Sequence, residues 1–405
     1  MGDKRTSKQI LAELLSNHYA DALAAKERGE LVAWSTSIAP QELLTTMGIH
    51  TVYPENHAAA IGARKFAQQY IDYSEGNGYS VDICSYARVN LAYMELLRCD
   101  TENIPKPDLI FCCNNICNTV LKWYENIAKE LNIPMIVFDT PFNHEYEVSD
   151  QDVRYIKSQI LEAIKRLEAI TGKEFDYGKF SEVMKISSET SQWWKRAAIK
   201  AMAQPSPLNG FDLFNYMAVI VCMRGTVQGR DLFKLWYEEL EEKERKGLGP
   251  WKDAEEKYRV MWDGIACWPY LGDTYKVLRK YGINMVTSTY PDSWYIVYEQ
   301  NDIDGMARAY SSNYVNRNLK FGVDNIVKLV QDYKLDGIIY HSNRSCKLMD
   351  FRQFEVQRQV EERTGVRSIV FDGDQTDPRA FSLAQYETRI QALVEAMEAN
   401  KRKED

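Results

Sequence analysis

A chain of 405 residues, 45% hydrophobic and 27% charged, is too long for one hydrophobic core and has the composition of a water-soluble globular protein. Its formal charge of −8 argues against a broad nucleic-acid or anionic-membrane surface, and no run of eighteen apolar residues predicts a membrane-spanning helix. The opening Met-Gly-Asp-Lys-Arg-Thr lacks an apolar signal core, so the eight cysteines are expected in a reducing, cytoplasmic compartment, as packing groups, metal ligands or redox centres.

Gly2 and Thr6 fit a loose myristoylation pattern that short sequences meet by coincidence. Apolar residues at Ile10, Leu11, Leu14, Leu15, Tyr19 and Leu23 then fall on one face of a leading helix. Strand-length apolar runs follow near Leu31–Trp34, Thr51–Tyr53, Leu109–Cys112 and Met135–Phe138. Amphipathic, helix-length segments separate them, the alternation of a parallel sheet covered by helices. Strand signals vanish from Asp150 to Lys246, where spacings such as Ile156-Ile160-Ile164-Leu167 and Leu213-Met217-Val221 predict helices. The polar run Glu241–Gly249 and Pro250 end that stretch. Strands resume near Ile265–Trp268, Met285–Ser288, Gly337–Tyr340 and Ser368–Phe371. A closing helix opens with a Ser382/Gln385 capping box, buries Leu383, Tyr386, Ile390, Leu393, Val394 and Met397, and leaves a charged tail from Lys401 to Asp405 to fray. The fold expected is α/β: two pseudo-repeated parallel-sheet domains, 1–150 and 251–405, flanked by helices, with a helical domain, 151–250, between them.

Two segments read as copies. Asp108-Leu-Ile-Phe-Cys-Cys-Asn-Asn-Ile-Cys117 leads through a helix pattern to Ile136-Val-Phe-Asp139, and Asp336-Gly-Ile-Ile-Tyr-His-Ser-Asn-Arg-Ser-Cys346 leads to Ile369-Val-Phe-Asp372. From cysteine to aspartate the spacing is 22 residues in one and 26 in the other, a difference of about one helical turn. Asn114 then matches Asn343, and Cys117 and Cys346 are expected to face each other across a pseudo-symmetric cleft. A second match pairs Val32-Ala-Trp34 with Ala266-Cys-Trp268, each followed fourteen residues later by Gly-Ile, at Gly48 and Gly282.

Phosphate-loop, dinucleotide-binding, zinc-protease and Cys-x-x-Cys patterns are absent, and none of the five histidines pairs at i, i+4. Cys117 and Cys346 each follow a strand and start a helix, where amide donors and a partial positive charge suit a thiolate or an anionic iron–sulfur cluster. Cys84 is a candidate third sulfur. The residues alone leave a metal site and a set of small buried hydrophobes as two open readings. Zinc fits poorly, because it prefers four tetrahedral ligands. Cys112 or Cys113 as a fourth ligand would close the site and favour a non-catalytic electron-transfer protein.

Several motifs now carry a resemblance: Trp34-Ser-Thr-Ser-Ile-Ala-Pro40, Tyr53-Pro-Glu-Asn56, Cys113-Asn-Asn-Ile-Cys117 with Lys122-Trp-Tyr-Glu125, Asn209-Gly-Phe-Asp212, Asn343-Arg-Ser-Cys-Lys-Leu348, and Asp372-Gly-Asp-Gln375 with Asp377-Pro-Arg379. Over nearly its whole length the chain resembles the 2-hydroxyacyl-CoA dehydratases of anaerobic bacteria, nearest the alpha subunits acting on 2-hydroxyisocaproyl-, phenyllactyl- and lactoyl-CoA. The resemblance implies a [4Fe-4S] cluster on Cys84, Cys117 and Cys346, with the fourth position of one iron open to water or substrate. It also implies a homologous beta subunit as heterodimer partner and an ATP-dependent iron–sulfur activator. The reaction implied is loss of water from an (R)-2-hydroxyacyl-CoA to the (E)-2-enoyl-CoA. One-electron reduction of the thioester to a ketyl radical expels the α-hydroxyl and acidifies the β-hydrogen, which acid–base catalysis alone does not achieve.

Ser37 and Glu55, each just after a predicted strand, are the catalytic residues expected beside the cluster. His341 reads as a packed core residue, Asp372 and Asp374 as turn formers, and Arg344 and Arg379 as candidate partners of coenzyme A phosphates. A subunit of the related benzoyl-CoA-type ring reductases is the alternative enzyme.

Overall fold

The computed structural model describes residues 5–99 and 103–404. The first half runs α1 (Ser7–Glu27), β1 (Val32–Ser35), α2 (Gln41–Met47), β2 (His50–Val52), α3 (Pro54–Ala63), α4 (Ala67–Gly76), α5 (Ser85–Leu96), β3 (Leu109–Cys113), α6 (Asn118–Leu131) and β4 (Met135–Phe138). A helical stretch follows: α7 (Asp150–Thr171), α8 (Tyr177–Ile199), α9 (Gly210–Cys222) and α10 (Val227–Arg245). The second half runs β5 (Tyr258–Asp263), α11 (Leu271–Lys280), β6 (Ile283–Ser288), α12 (Thr289–Asp292), α13 (Ile303–Ser311), α14 (Leu319–Tyr333), β7 (Gly337–Asn343), α15 (Lys347–Thr364), β8 (Arg367–Gly373) and α16 (Leu383–Glu404).

Among the described residues the strands form two four-stranded parallel sheets, ordered β2-β1-β3-β4 and β6-β5-β7-β8. The two orders are the same, as the internal repeat requires. In each sheet the connections leave the second and third strands in opposite directions, so a crevice opens beyond their carboxyl ends, between β1 and β3 and between β5 and β7. Cys117 follows β3 and Cys346 follows β7, so both stand at such a crevice.

One strand lies elsewhere than its sequence pattern predicts. The run Ile265–Trp268 is a loop entering a short 3-10 turn, and the strand is Tyr258–Asp263. Arg259 disguises that strand, although it is buried: its guanidinium donates to the carbonyls of Tyr333, Ala203 and Ala201 and pairs with Glu256. By register Trp34 in β1 corresponds to Met261 in β5 and not to Trp268, so the tryptophan match read from the sequence is not a structural one. The two glycines still match, each in the left-handed conformation that lets the chain turn into β2 or β6 (φ 70° and 69°). In α16, Tyr386, Ile390, Leu393 and Met397 are buried as expected, but Leu383 is exposed and Val394 half-buried. That helix continues through the charged tail to Glu404, while Asp405 and Gly2 lie outside the described residues.

One apolar core runs from the first sheet through α7–α10 to the second sheet, and another covers the opposite face of the first sheet. At the meeting of these parts sits a buried polar hub. The Glu42 carboxylate on α2 accepts from Ser187 on α8, from Tyr298 at 2.7 Å and from Tyr310 on α13 at 2.6 Å, and lies 3.7 Å from Arg224, in the turn after α9. Arg224 in turn donates to Tyr310 at 2.5 Å. Neither charge of this pair reaches solvent. Removing one partner strands the other in a low-dielectric interior, so Arg224→Ala is expected to cost about 3–5 kcal/mol, read from the urea unfolding midpoint.

Candidate active site at the crevices of the two sheets

α5, α6 and α15 all begin with a cysteine at the N-cap, Cys84, Cys117 and Cys346, and none of the three side chains makes a capping hydrogen bond. A helix start usually takes Ser, Thr, Asp or Asn, whose oxygen satisfies a first-turn amide. Sulfur is a poor substitute in that role, so three such caps on the wall of one cavity point to another use. The three cysteines line a single cavity of about 110 Å³ together with Ser37, Glu55, Tyr86, Trp123, Tyr290 and Gln375. Each keeps part of its surface open, yet burial governs acidity: it raises the Cys117 thiol and lifts Cys346 to about 12, and Cys84 is raised by burial and then by the charges of Cys117 and Cys346.

The cysteines come from two halves of the chain, and a carboxylate latches them together. Asp374, buried in the turn after β8, accepts from the hydroxyls of Ser85 and Ser345, both at 2.5 Å, and from the Ser345 amide at 3.2 Å. Ser85 follows Cys84 and Ser345 precedes Cys346. The Ser85 amide also donates to Ser345 Oγ at 3.1 Å, and Asp374 accepts from the amides of Thr376 and Asp377 at 2.9 and 3.0 Å. The turn read from the sequence is therefore present, with two cysteine loops fastened to it.

On the first-sheet side Ser37 and Glu55 meet. Glu55 Oε1 accepts from the amide and hydroxyl of Ser37, each at 3.2 Å, and Oε2 accepts from the Tyr124 hydroxyl at 2.8 Å. Burial raises the Glu55 carboxyl above the usual range, opposed by the Tyr124 and Ser37 hydrogen bonds. Tyr124 was not singled out from the sequence. It lies in the Lys122-Trp-Tyr-Glu125 motif, on the buried face of α6, which marks it as buried but not as a partner of Glu55.

Other candidates lie apart. Cys112 and Cys113 are buried in β3 and do not line the cavity; Cys113 Sγ lies 3.6 Å from Thr140 Oγ1. His341 is fully buried, stacks on Phe371 with centroids 4.8 Å apart, and meets the Ile265 carbonyl at 2.6 Å through Nδ1, so it is a core residue. Arg379 is held by Asp377, Glu75 and Asp72 and Arg344 pairs with Asp372, which occupies both guanidinium groups proposed for phosphates.

A second cavity, of about 250 Å³, shares Ser37, Glu55, Tyr86, Tyr290 and Trp294 with the first and extends between α1, α3 and α9. Leu15, Phe214, Met217, Ala218 and Val221 give it apolar walls. His18 lines it too, neutral because burial and then His50 lower its pKa to about 4. Among the described residues no three His, Cys, Asp or Glu side chains converge on one metal ion, and no helix is long and apolar enough to cross a membrane. The cavity wall does carry three thiols, the donor type that an iron–sulfur group takes.

These features define a two-sheet α/β protein with a secluded reaction chamber walled by thiols, a carboxyl and phenols. Residues 36–397 match the profile of the 2-hydroxyglutaryl-CoA dehydratase D-component, and the chain belongs to that family. It is 50% identical over 407 residues to the (R)-2-hydroxyisocaproyl-CoA dehydratase alpha subunit of Clostridioides difficile, covering 99% of this chain and 98% of that one. It is 47% identical to the (R)-phenyllactyl-CoA dehydratase alpha subunit of Clostridium sporogenes, over 99% and 98% of the two chains. Against the lactoyl-CoA dehydratase subunit alpha of Anaerotignum propionicum it is 46% identical, over 97% of both. The resemblance carried by the motifs thus stands.

The raised thiol of Cys346 sets a measurable reactivity in metal-free protein. Lifted to about 12, the thiol stays almost wholly protonated at pH 8, where an ordinary thiol is partly ionised. Alkylation by iodoacetamide, followed by mass spectrometry, is expected to run at least about tenfold slower than in an unfolded control and to speed up as pH rises. Asp374→Ala, by freeing both latched loops, should accelerate labelling of Cys84 and Cys346 together.

Proposed function

We propose that this chain is the alpha subunit of a 2-hydroxyacyl-CoA dehydratase, a hydro-lyase that takes water from an (R)-2-hydroxyacyl-CoA to give the (E)-2-enoyl-CoA. The observation that carries the reading is the convergence of Cys84, Cys117 and Cys346 with the Ser37–Glu55 pair on one buried cavity. Cys84, Cys117 and Cys346 would hold a [4Fe-4S] cluster; when bound, it supplies one electron to the thioester carbonyl and recovers it at the end of the turnover. Raised thiols must lose their protons on loading, so uptake is expected to improve with pH.

The remaining work falls to the chain's own side chains. Ser37 and Tyr124 hold the two oxygens of Glu55 and fix its direction. Because burial raises this carboxyl, it holds a proton at higher pH than an ordinary glutamate and is placed to deliver that proton to the departing hydroxyl. Trp123, Ile38 and Ile116 wall the cavity against water, which would quench an electron-rich carbonyl. The adjoining apolar cavity receives the acyl side chain, with Phe214, Met217 and Ala218 of α9 facing it. A homologous beta subunit completes the enzyme, and an ATP-dependent iron–sulfur activator supplies the first electron.

Anaerobic purification with iron and acid-labile sulfide analysis tests the reading. About four of each per chain are expected, with loss of both in Cys346→Ala; zinc, or no metal under strict anaerobiosis, overturns it. Glu55→Gln is expected to keep its iron and lose about 10²–10⁴-fold in kcat with partner and activator supplied, and unchanged turnover removes the proton-transfer role. Ala218→Trp fills the second cavity and is expected to lower kcat/KM about 10–200-fold for branched or aromatic acyl groups, and less for lactoyl-CoA.

A further inference from the structure

We propose that Gln375 sets the reduction potential of the group held by the three cysteines by donating an N–H···S hydrogen bond to Cys84; the inference rests on the iron–sulfur reading of the cavity. Gln375 Nε2 lies 2.9 Å from Cys84 Sγ, and the side chain is buried and lines the cavity. With Nε2 toward the sulfur, Oε1 at the other end of the amide accepts from Asn343 Nδ2 at 2.5 Å, so both ends are partnered. Asn343 is fully buried and ends β7, three residues before Cys346. The Gln375 backbone is held as well, its carbonyl accepting from the Trp268 amide at 3.2 Å. The donor is thus preorganised by the second half of the chain and aimed at a sulfur from the first.

An N–H dipole pointed at a ligating sulfur stabilises negative charge on it, and the reduced cluster carries one negative charge more than the oxidised one. The bond therefore favours the reduced form and raises the potential. This has a use in a reaction that must recover its electron: a cluster that holds the electron too weakly loses it to side reactions, and one that holds it too tightly does not transfer it. Gln375 acts through Cys84, so it is a positioning and tuning residue rather than a catalytic one.

The test is an EPR-monitored redox titration of the anaerobically prepared chain as wild type, Gln375→Met and Gln375→Glu. Met keeps the approximate volume without a donor, and Glu keeps the shape but places an acceptor at the sulfur. Both variants are expected to retain wild-type iron and to shift the midpoint to more negative potential, Glu further than Met. Unchanged midpoints at full iron content overturn the proposal. Loss of iron with an unchanged thermal unfolding midpoint also overturns it, because Gln375 would then secure the ligand and not tune it. Should Met fail to fold, Glu reads the same shift. Wild-type protein without iron would instead bring down the cluster reading itself, an outcome separate from the variants.

Discussion

The Asp374 latch is the contact on which the chamber depends. Ser85 and Ser345 are 260 residues apart in sequence, and each adjoins a cysteine of the cavity. A short carboxylate with acceptor sites on both oxygens is suited to gathering hydroxyls and amides from two loops, and its burial strengthens each of those bonds relative to water. The rest follows in order: the sheets set their crevices, the crevices place α6 and α15, and the latch draws α5 to the same point. Glu42 and Arg224 provide the corresponding tie farther into the molecule, where the helical stretch meets both sheets.

The chamber is built to disfavour charge. Burial raises the thiols of Cys117 and Cys346 and the carboxyl of Glu55, and it lowers His18. Burial lengthens the reach of the few dipoles that remain, so hydrogen bonds from Tyr124, Ser37 and Gln375 count for more here than on a surface. The proposed chemistry through an electron-rich thioester would gain from such a setting, since water is the competitor to exclude.

Much of this architecture could be read from the chain. Seven of the eight strands lie at or within a few residues of their predicted runs, because parallel strands buried on both faces are continuous apolar segments. β5 escaped because Arg259 interrupts its apolar run, and its guanidinium is satisfied by carbonyls distant in sequence, which no local pattern reveals. Ile265–Trp268 misled for the converse reason: it is a loop packed inside, so it is apolar without being a strand. The repeat of Cys117 and Cys346 marked two walls of the cavity, and Ser37 and Glu55 were legible as strand-end residues. Tyr124, Asp374 and Gln375 were not legible in these roles, since a helix-face tyrosine and a turn aspartate reveal their partners only when two halves of the chain are brought together.

Distributing the thiols over both halves also orders the making of the protein. During synthesis Cys84 and Cys117 emerge with the first sheet, but Cys346 emerges only with the last strands, and Asp374 and Gln375 later still. A chain that stops before the end of β7 therefore carries at most two of the three cavity thiols. The cavity with all three thiols on its wall therefore exists only in a chain that is nearly finished.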